Sequence, residues 1–238
     1  MRNRVTALAL ATAASVALAG GAGQAVAHDH ATAKPTAPSQ LTVDAYKTWL
    51  KRAPGGGPTL KAFSRLPTPK QRAFVGYLQN ARVFKAFGVT QTGDIPSKAK
   101  TKTVRYNRDV TFTSTTVAAS RTAKSTKTVS LSVTATERIF DIPVTSATTT
   151  LSYETGKDGL ITGKGRKAGH KGTNFNAAFT VKAGATTFGP EANMLDALTN
   201  WTATPRFKSA GTKPIKKLQV LTGLGDHGTA TTFRTVGS

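Results

Sequence analysis

In VSLSVTA, residues 129–135, apolar side chains alternate with hydroxyl side chains. A period of two places the apolar side chains on one face of a β-strand and the hydroxyls on the other. Related patterns recur through the C-terminal half of the chain, at 110–114, 149–153, 175–181, 218–220 and 231–233. The sequence therefore predicts a series of half-buried strands.

Threonine carries this pattern beyond residue 100, where 30 of the 40 threonines lie. Its β-branched side chain packs well on a pleated surface. Turn signals at 157–159, 183–184 and 223–228 divide the region into seven or eight strands. We therefore expect a Thr-rich β domain over 104–238, built as an antiparallel β-sandwich or open barrel. Within it, EANMLDALT at 191–199 has the composition of one short helix.

The region 41–92 has helical periodicity instead. Thr42 is the type of residue that caps a helix, and Tyr46 and Leu50 follow it at helical spacing. The run PGGGP at 54–58 ends this helix sharply.

A second helical stretch follows after TLKAF at 59–63, which suits one short turn of helix. One longer helix is predicted over 68–87, with Pro69 at its first position and Gly88 as its C-terminal stop. The predicted fold class is therefore α+β, an N-terminal helical segment followed by the β domain.

Residues 1–27 have the three parts of a secretory signal peptide. Arg2 and Arg4 precede an Ala-rich apolar run, and Ala25-Val-Ala27 matches a cleavage site. A membrane anchor is the alternative, although the run is short and Ala-rich for a span of about 20 strongly apolar residues. We expect a protein without a transmembrane span that is secreted to an extracellular location.

Two further segments are expected to contain little regular structure. HDHATAKPTAPSQ, residues 28–40, is rich in Ala, Thr and Pro and predicts a flexible leader. GDIPSKAKTKT, residues 93–103, predicts a basic linker between the helical segment and the β domain.

The 238-residue chain carries 33 Lys and Arg against 11 Asp and Glu, a formal net charge of +22. It has no Cys, which excludes disulfides, thiol nucleophiles and Cys-ligated metal centres. Loss of residues 1–27 removes two arginines and leaves +20. Such an excess favours binding to polyanions through counterion release, with a strong dependence on salt.

The segment GKGRKAGHKG, residues 163–172, is the strongest local signal for an anionic partner. Glycines allow backbone N–H groups to approach an anion, and the cations supply charge. The spacing of a phosphate-cradling NTPase loop is absent. We predict an anion site formed by Lys164, Arg166, Lys167 and Lys171, and the alternative is a solvated hairpin tip. Other basic residues cluster at Lys98, Lys100, Lys102, Arg105 and Arg108, at Arg121, Lys124 and Lys127, and at Lys213, Lys216 and Lys217.

Cleavage after residue 27 would expose HDH, residues 28–30, as the new terminus. An amine, amide nitrogens and an imidazole form a ligand set for Cu(II) or Ni(II), so a copper cofactor held by His28 and His30 is the alternative to a protein without a cofactor. The terminal His also resembles the histidine brace of secreted copper polysaccharide oxygenases. That resemblance implies a second His, for which His170 and His227 are available.

Signatures of hydrolases are sparse. The motifs G-x-S-x-G and H-E-x-x-H are absent. Asp226-His227 offers part of a triad, and Glu137 with Asp141 offers two nearby acids. In a chain with so few acids, we expect these carboxylates to pair with Arg or Lys, and we favour a protein that is not an enzyme.

An Ala-rich export signal, the helical stretch LPTPKQRAFVGYLQNARVFKAF and a Thr-rich basic β region occur in that order. In this outline the chain resembles small secreted proteins of high-GC Gram-positive soil bacteria such as streptomycetes, which implies a location more than an activity. We expect a basic binding protein that associates with anionic polymers of the cell envelope or extracellular matrix. Teichoic acid, acidic polysaccharide, nucleic acid and anionic lipid are the candidate partners, and the oligomeric state is left open. The alternatives are a secreted hydrolase or copper oxygenase, a membrane-active protein using the basic helix at 69–87, and an inhibitory protein.

Overall fold

Four α-helices, one short 3-10 helix at Lys208–Ala210 and two antiparallel sheets lie within residues 38–189 and 193–236, the part of the chain that the computed structural model describes. These residues all belong to one unit, Ala37–Ser238. The signal peptide predicted for 1–27 and most of the leader predicted for 28–40 lie outside the described residues.

The first helix begins where the sequence predicts it. The Oγ1 of Thr42 accepts a hydrogen bond from the backbone N–H of Ala45 at 3.2 Å, which satisfies one of the free donors of the first turn. In chain order the helices are α1 Val43–Arg52, α2 Gly57–Ser64, α3 Thr68–Leu78 and α4 Ala81–Ala86.

The single longer helix predicted over 68–87 is wrong, because the chain forms two helices there. Asn80 interrupts it, since its side chain accepts a hydrogen bond from the N–H of Arg82 at 2.9 Å and caps α4. Beside it, the buried amide of Gln79 binds both main-chain polar groups of Leu41, at 2.7 and 2.9 Å. These contacts fix the break between α3 and α4 and attach the chain that precedes α1.

All ten strands of the described residues follow α4. Two of them begin before residue 104, and the other eight agree with the seven or eight that the turn signals predict for the β domain. The ten strands are β1 Val89–Thr92, β2 Lys100–Arg105, β3 Val110–Ala123, β4 Thr126–Ile139, β5 Ile142–Thr155, β6 Lys167–Asn174, β7 Phe179–Phe188, β8 Met194–Pro205, β9 Ile215–Leu224 and β10 His227–Thr235.

The strands form two five-stranded sheets in which all neighbours are antiparallel. Sheet I has the order β1-β10-β9-β8-β7, and sheet II has the order β2-β3-β4-β5-β6. Their inner faces contact each other, as where Thr149 of sheet II donates a hydrogen bond to Thr199 of sheet I at 2.9 Å. Each sheet keeps two edge strands, so the architecture is sandwich-like and not closed. The predicted α+β class is confirmed at this level.

The alternation of apolar and hydroxyl side chains at 129–135 matches the burial pattern of strand β4 in sheet II. Val129, Leu131 and Val133 are each 1–2% exposed, whereas the hydroxyl residues between them lie on the outer face. Because the strand has one buried face, a slip of one residue would expose this whole set.

Several boundaries differ from the sequence prediction. The short helix expected over 191–199 is wrong, because the described part of that range enters strand β8, where Leu195, Ala197 and Thr199 are buried alternately. Burial between two neighbouring strands outweighs local helix propensity there. The turn expected at 183–184 is an irregularity of register inside β7. Strand β2 starts at Lys100, within the range expected as linker.

Aromatic side chains join the helices to the sheets. The ring of Tyr46 lies 5.0 Å from that of Phe63 and 5.6 Å from that of Phe74, and its hydroxyl donates to the carbonyl of Phe175 at 2.9 Å. These helices therefore cover the apolar side chains at one end of the two sheets, while none of the described helices covers the outer face of sheet II.

Candidate functional site

The outer face of sheet II is dominated by hydroxyl groups, and we call it the hydroxyl face. Its side chains alternate with buried ones on β3, β4 and β5, and strand pairing brings them into rows. The face includes Thr101, Thr103, Thr111, Thr113, Thr115, Ser130, Ser132, Thr134, Thr136, Ser146, Thr148, Thr150, Ser152 and Thr173.

Many of these hydroxyls bind each other across neighbouring strands. Thr134 and Thr148 share a hydrogen bond of 2.9 Å, as do Thr101 and Thr115. Similar pairs of 3.1 and 3.2 Å join Thr136 to Ser146 and Ser130 to Ser152. Each hydroxyl has one donor and two acceptor positions, so such pairing orients the side chains and leaves polar positions for a ligand.

A shallow groove of about 430 Å³ crosses this face. Small apolar side chains and hydroxyls line this groove, which extends to the edge strand β6. Among the lining residues are Val117, Ala119, Ser132, Thr150, Lys167 and Gly169.

The edge strand β6 carries two of the four cations predicted to bind anions. Lys167 pairs with Ser152 and Lys171 with Thr148, so both lysines point to the same side as the hydroxyl face. Both are exposed, and both lie on a strand. The structure therefore sets these two ammonium groups along one border of the hydroxyl face.

The other two predicted residues precede β6. Lys164 is exposed, and Arg166 is half-buried. Gly165 has a φ of +64°, and a Cβ built there would lie 2.7 Å from Oε1 of Glu154. The Gly-spaced loop therefore packs closely against a carboxylate, which offsets part of its positive charge.

The opposite side of β6 contacts residues of sheet I. A Cβ at Gly172 would lie 2.8 Å from the ring of Trp201, so this glycine provides room for the indole. The Nδ1 of His170 lies 2.9 Å from Oγ1 of Thr186, and its ring is 5.8 Å from that of Trp201. Part of the glycine spacing that suggested an anion loop is therefore explained by packing.

Several cations in the other basic clusters have hydrogen-bond or ion-pair partners within the protein. Lys102 donates to the carbonyl of Thr90 at 2.8 Å, and Lys127 pairs with Asp226 at 2.8 Å. Arg108 lies 3.4 Å from Asp109. Lys217 is buried, so the expectation that it belongs to a surface cluster is wrong.

Lys217 and Glu137 are two buried ionisable residues of the core. The Nζ of Lys217 donates to the carbonyls of Lys85 and Phe87 and to Thr235, and it lies 5.6–5.8 Å from three phenylalanine ring centres. Neither carboxylate oxygen of Glu137 has a hydrogen-bond partner among the described residues. Glu137 was expected to pair with an Arg or Lys, and the cation whose charge acts on it is the buried Lys217.

Burial sets the pKa values of these two residues. It raises the pKa of Glu137 to about 7, although the Thr145 side chain and the charge of Lys217 both act to lower this pKa. It lowers the pKa of Lys217 to about 7, although the charge of Glu137 acts to raise it. The same two causes, burial and then Glu137, raise the pKa of Tyr46.

The alternation of buried residues along β4 and β9 could have identified Glu137 and Lys217 as inward-facing from the sequence. Glu137 lies two residues from Ala135 and from Ile139, and Lys217 alternates with Ile215 and Gln219, all of them buried. The cavity beside Lys217, Phe84 and Trp201 has only about 10 Å³ of open space, so it has no room for a substrate.

The histidines do not assemble a predicted catalytic or metal site in the described residues. His227 has Asp226 at 3.3 Å and Asp94 at 3.6 Å, so its ring faces carboxylates where a triad needs a nucleophilic hydroxyl. No group of three His, Cys, Asp or Glu that could hold a metal ion occurs within the described ranges. His28 and His30, the predicted copper ligands, lie outside them.

Comparison with known proteins gives no relative: no family model, no curated protein and no solved structure matches the chain. Among residues 38–189 and 193–236, no helix is long and apolar enough to cross a bilayer.

Proposed function

We propose that this protein is a secreted, strongly basic binding protein that associates with anionic polymers of the cell envelope or extracellular matrix. The observation that carries the proposal is the position of Lys167 and Lys171 along the border of the hydroxyl face. An extended face with cations at its edge suits a long polymer better than a small ligand.

The chemistry of the face favours a polymer that carries both hydroxyl and anionic groups. Paired Ser and Thr side chains offer donors and acceptors to polymer hydroxyls, and the lysines offer charge to phosphate, sulfate or carboxylate groups. Acidic polysaccharides and polyol phosphates such as teichoic acid have this composition. Nucleic acid is less suited, because the face has no row of aromatic side chains for base stacking among the described residues.

Net charge supports the same class of partner. The chain has a formal charge of +22, and a positive field of this size raises the local concentration of polyanions. Secretion by the signal peptide predicted at 1–27 would bring the protein to such polymers.

Binding to poly(glycerol phosphate), heparin and neutral dextran tests the proposal. We expect the two polyanions to bind and dextran not to bind, because both the charge and the hydroxyl face contribute. Replacing Lys164, Arg166, Lys167 and Lys171 by Ala should weaken binding at least tenfold. The control Lys61→Ala/Arg72→Ala removes two exposed charges from helices, and its effect should be much smaller than that of Lys167→Ala/Lys171→Ala, which removes the same number.

A separate variant tests whether the hydroxyl face contributes to polymer binding. Thr134→Val/Thr148→Val keeps the side-chain shape and removes one paired set of hydroxyls. We expect it to weaken binding of poly(glycerol phosphate) severalfold. Equal affinity of the four-Ala variant and the wild-type protein, or equal binding of dextran and the polyanions, would refute the proposal.

A further inference from the structure

A second candidate site lies away from the hydroxyl face, in a cleft between α4 and the residues that lead into β9. The cleft has a volume of about 450 Å³, within the range typical of small-molecule sites. Its walls are mainly apolar, and the apolar lining residues are Ala81, Ala210, Pro214, Ile215 and Val236.

Positive charge surrounds this apolar cleft. Lys85, Lys213 and Lys216 line it. A more open depression shares Ala81 and Gly211 with it and adds the cations Arg82 and Lys208. No Asp or Glu occurs among the described residues that line either one. The cleft therefore combines an apolar floor with an uncompensated positive rim.

Hydrogen bonds hold one wall of the cleft in place. Thr235 donates from its Oγ1 to the carbonyl of Lys85 at 2.7 Å. Beneath them, the Nζ of Lys217 donates to that carbonyl and to Thr235, both at 2.9 Å. The buried side chain of Lys217 thus holds two lining residues, Lys85 and Thr235, in place. An already ordered site loses less entropy when a ligand binds.

We propose that this cleft binds a single-chain anionic amphiphile, with its acyl chain on the apolar floor and its carboxylate or phosphate head at Lys85, Lys213 and Lys216. The opposite charges of head group and rim, together with the apolar floor, select this class over a neutral lipid or a free inorganic anion. This site is separate from the hydroxyl face and does not depend on the function proposed for it.

Calorimetry on the full chain tests the class of ligand, with alkyl phosphates below their micelle concentration as probes. Each methylene that enters the cleft should tighten binding about three- to fourfold until the floor is filled. Dodecyl phosphate should therefore bind about tenfold or more tightly than decyl phosphate. Dodecanol and inorganic phosphate should each bind far more weakly. Equal binding of dodecanol, or of inorganic phosphate, would overturn the proposal.

Variants then locate the site. Lys213→Ala/Lys216→Ala should weaken binding of dodecyl phosphate about tenfold, since two charged contacts are lost. Thr212→Trp places a large side chain at an exposed lining position and should block the cleft without disturbing the core. Its thermal unfolding temperature should match that of the wild-type protein.

The matched control is Lys167→Ala/Lys171→Ala, which removes equal charge from the hydroxyl face. It should leave dodecyl phosphate binding unchanged while weakening polyanion binding, and Thr212→Trp should do the reverse. Loss of amphiphile binding in the control, or full binding by Thr212→Trp, would overturn the assignment. Binding to phosphatidylglycerol vesicles without any binding of free dodecyl phosphate would also refute it and indicate a membrane surface.

Discussion

The substitution Glu137→Gln should remove a pH dependence of stability that comes from one buried carboxyl group. Glu137 is fully buried, and its pKa is raised from 4.5 to about 7. Between these values the folded protein keeps a proton that the unfolded chain releases. Because the folded state then binds more protons, the free energy of unfolding falls as the pH rises from about 4.5 to 7.

The size of this effect follows from the pKa difference. A change of one pKa unit corresponds to about 1.4 kcal/mol, so the contribution approaches about 3 kcal/mol. Gln has nearly the same shape and no proton to release. At pH 5 the two proteins should have similar stability, and by pH 7.5 the Gln variant should be more stable by up to about 3 kcal/mol. For a chain of this size, that is about 6–12 °C in the unfolding temperature.

Urea unfolding at pH 5, 6, 7 and 7.5 measures this difference. The control Asp158→Asn changes the net charge equally at an exposed turn and keeps an oxygen for the N–H of Leu160. Its curve should run parallel to that of the wild-type protein. Parallel curves for Glu137→Gln and the wild-type protein would refute the assignment of a buried, proton-binding carboxyl at this position.

Three further substitutions test local packing and hydrogen bonds through their urea midpoints. Gly172→Val should destabilise the protein by about 2 kcal/mol, because its side chain would overlap Trp201; an unchanged midpoint would contradict that contact. Gln79→Leu should cost about 2 kcal/mol, since it leaves the buried polar groups of Leu41 without partners. Thr42→Ala should cost about 1 kcal/mol through loss of the α1 cap, whereas Thr42→Ser should cost much less.

Periodicity predicted the parts of the fold that local chemistry controls. The alternation at 129–135 and the Thr42 cap were both found from the sequence. The sequence did not predict the break at Asn80, because this cap lies inside an apparently continuous helical pattern. It did not predict strand β8 either, because that strand depends on pairing with residues remote in sequence. A strand that is central in its sheet can contain helix-favouring residues when neighbours on both sides bury it.

The candidate site was predicted in part. Composition and spacing singled out Lys167 and Lys171, but only strand pairing shows that both border a hydroxyl face. The glycines around them had a second cause, the approach of Trp201, that no local pattern reveals. Lys217 was counted with surface cations, although its phase with Ile215 already indicated an inward position.

The salt dependence of binding to poly(glycerol phosphate) measures whether the bound polymer contacts the border of the hydroxyl face. Titrations from low to high NaCl should give a linear relation between log affinity and log salt for the wild-type protein. In Lys167→Ala/Lys171→Ala the slope should become shallower by about 1.4 to 1.8, which corresponds to the loss of two ionic contacts. The control Lys61→Ala/Arg72→Ala should keep the wild-type slope. Equal slopes for all three proteins would contradict the account, because the bound polymer would then not contact the border of the hydroxyl face.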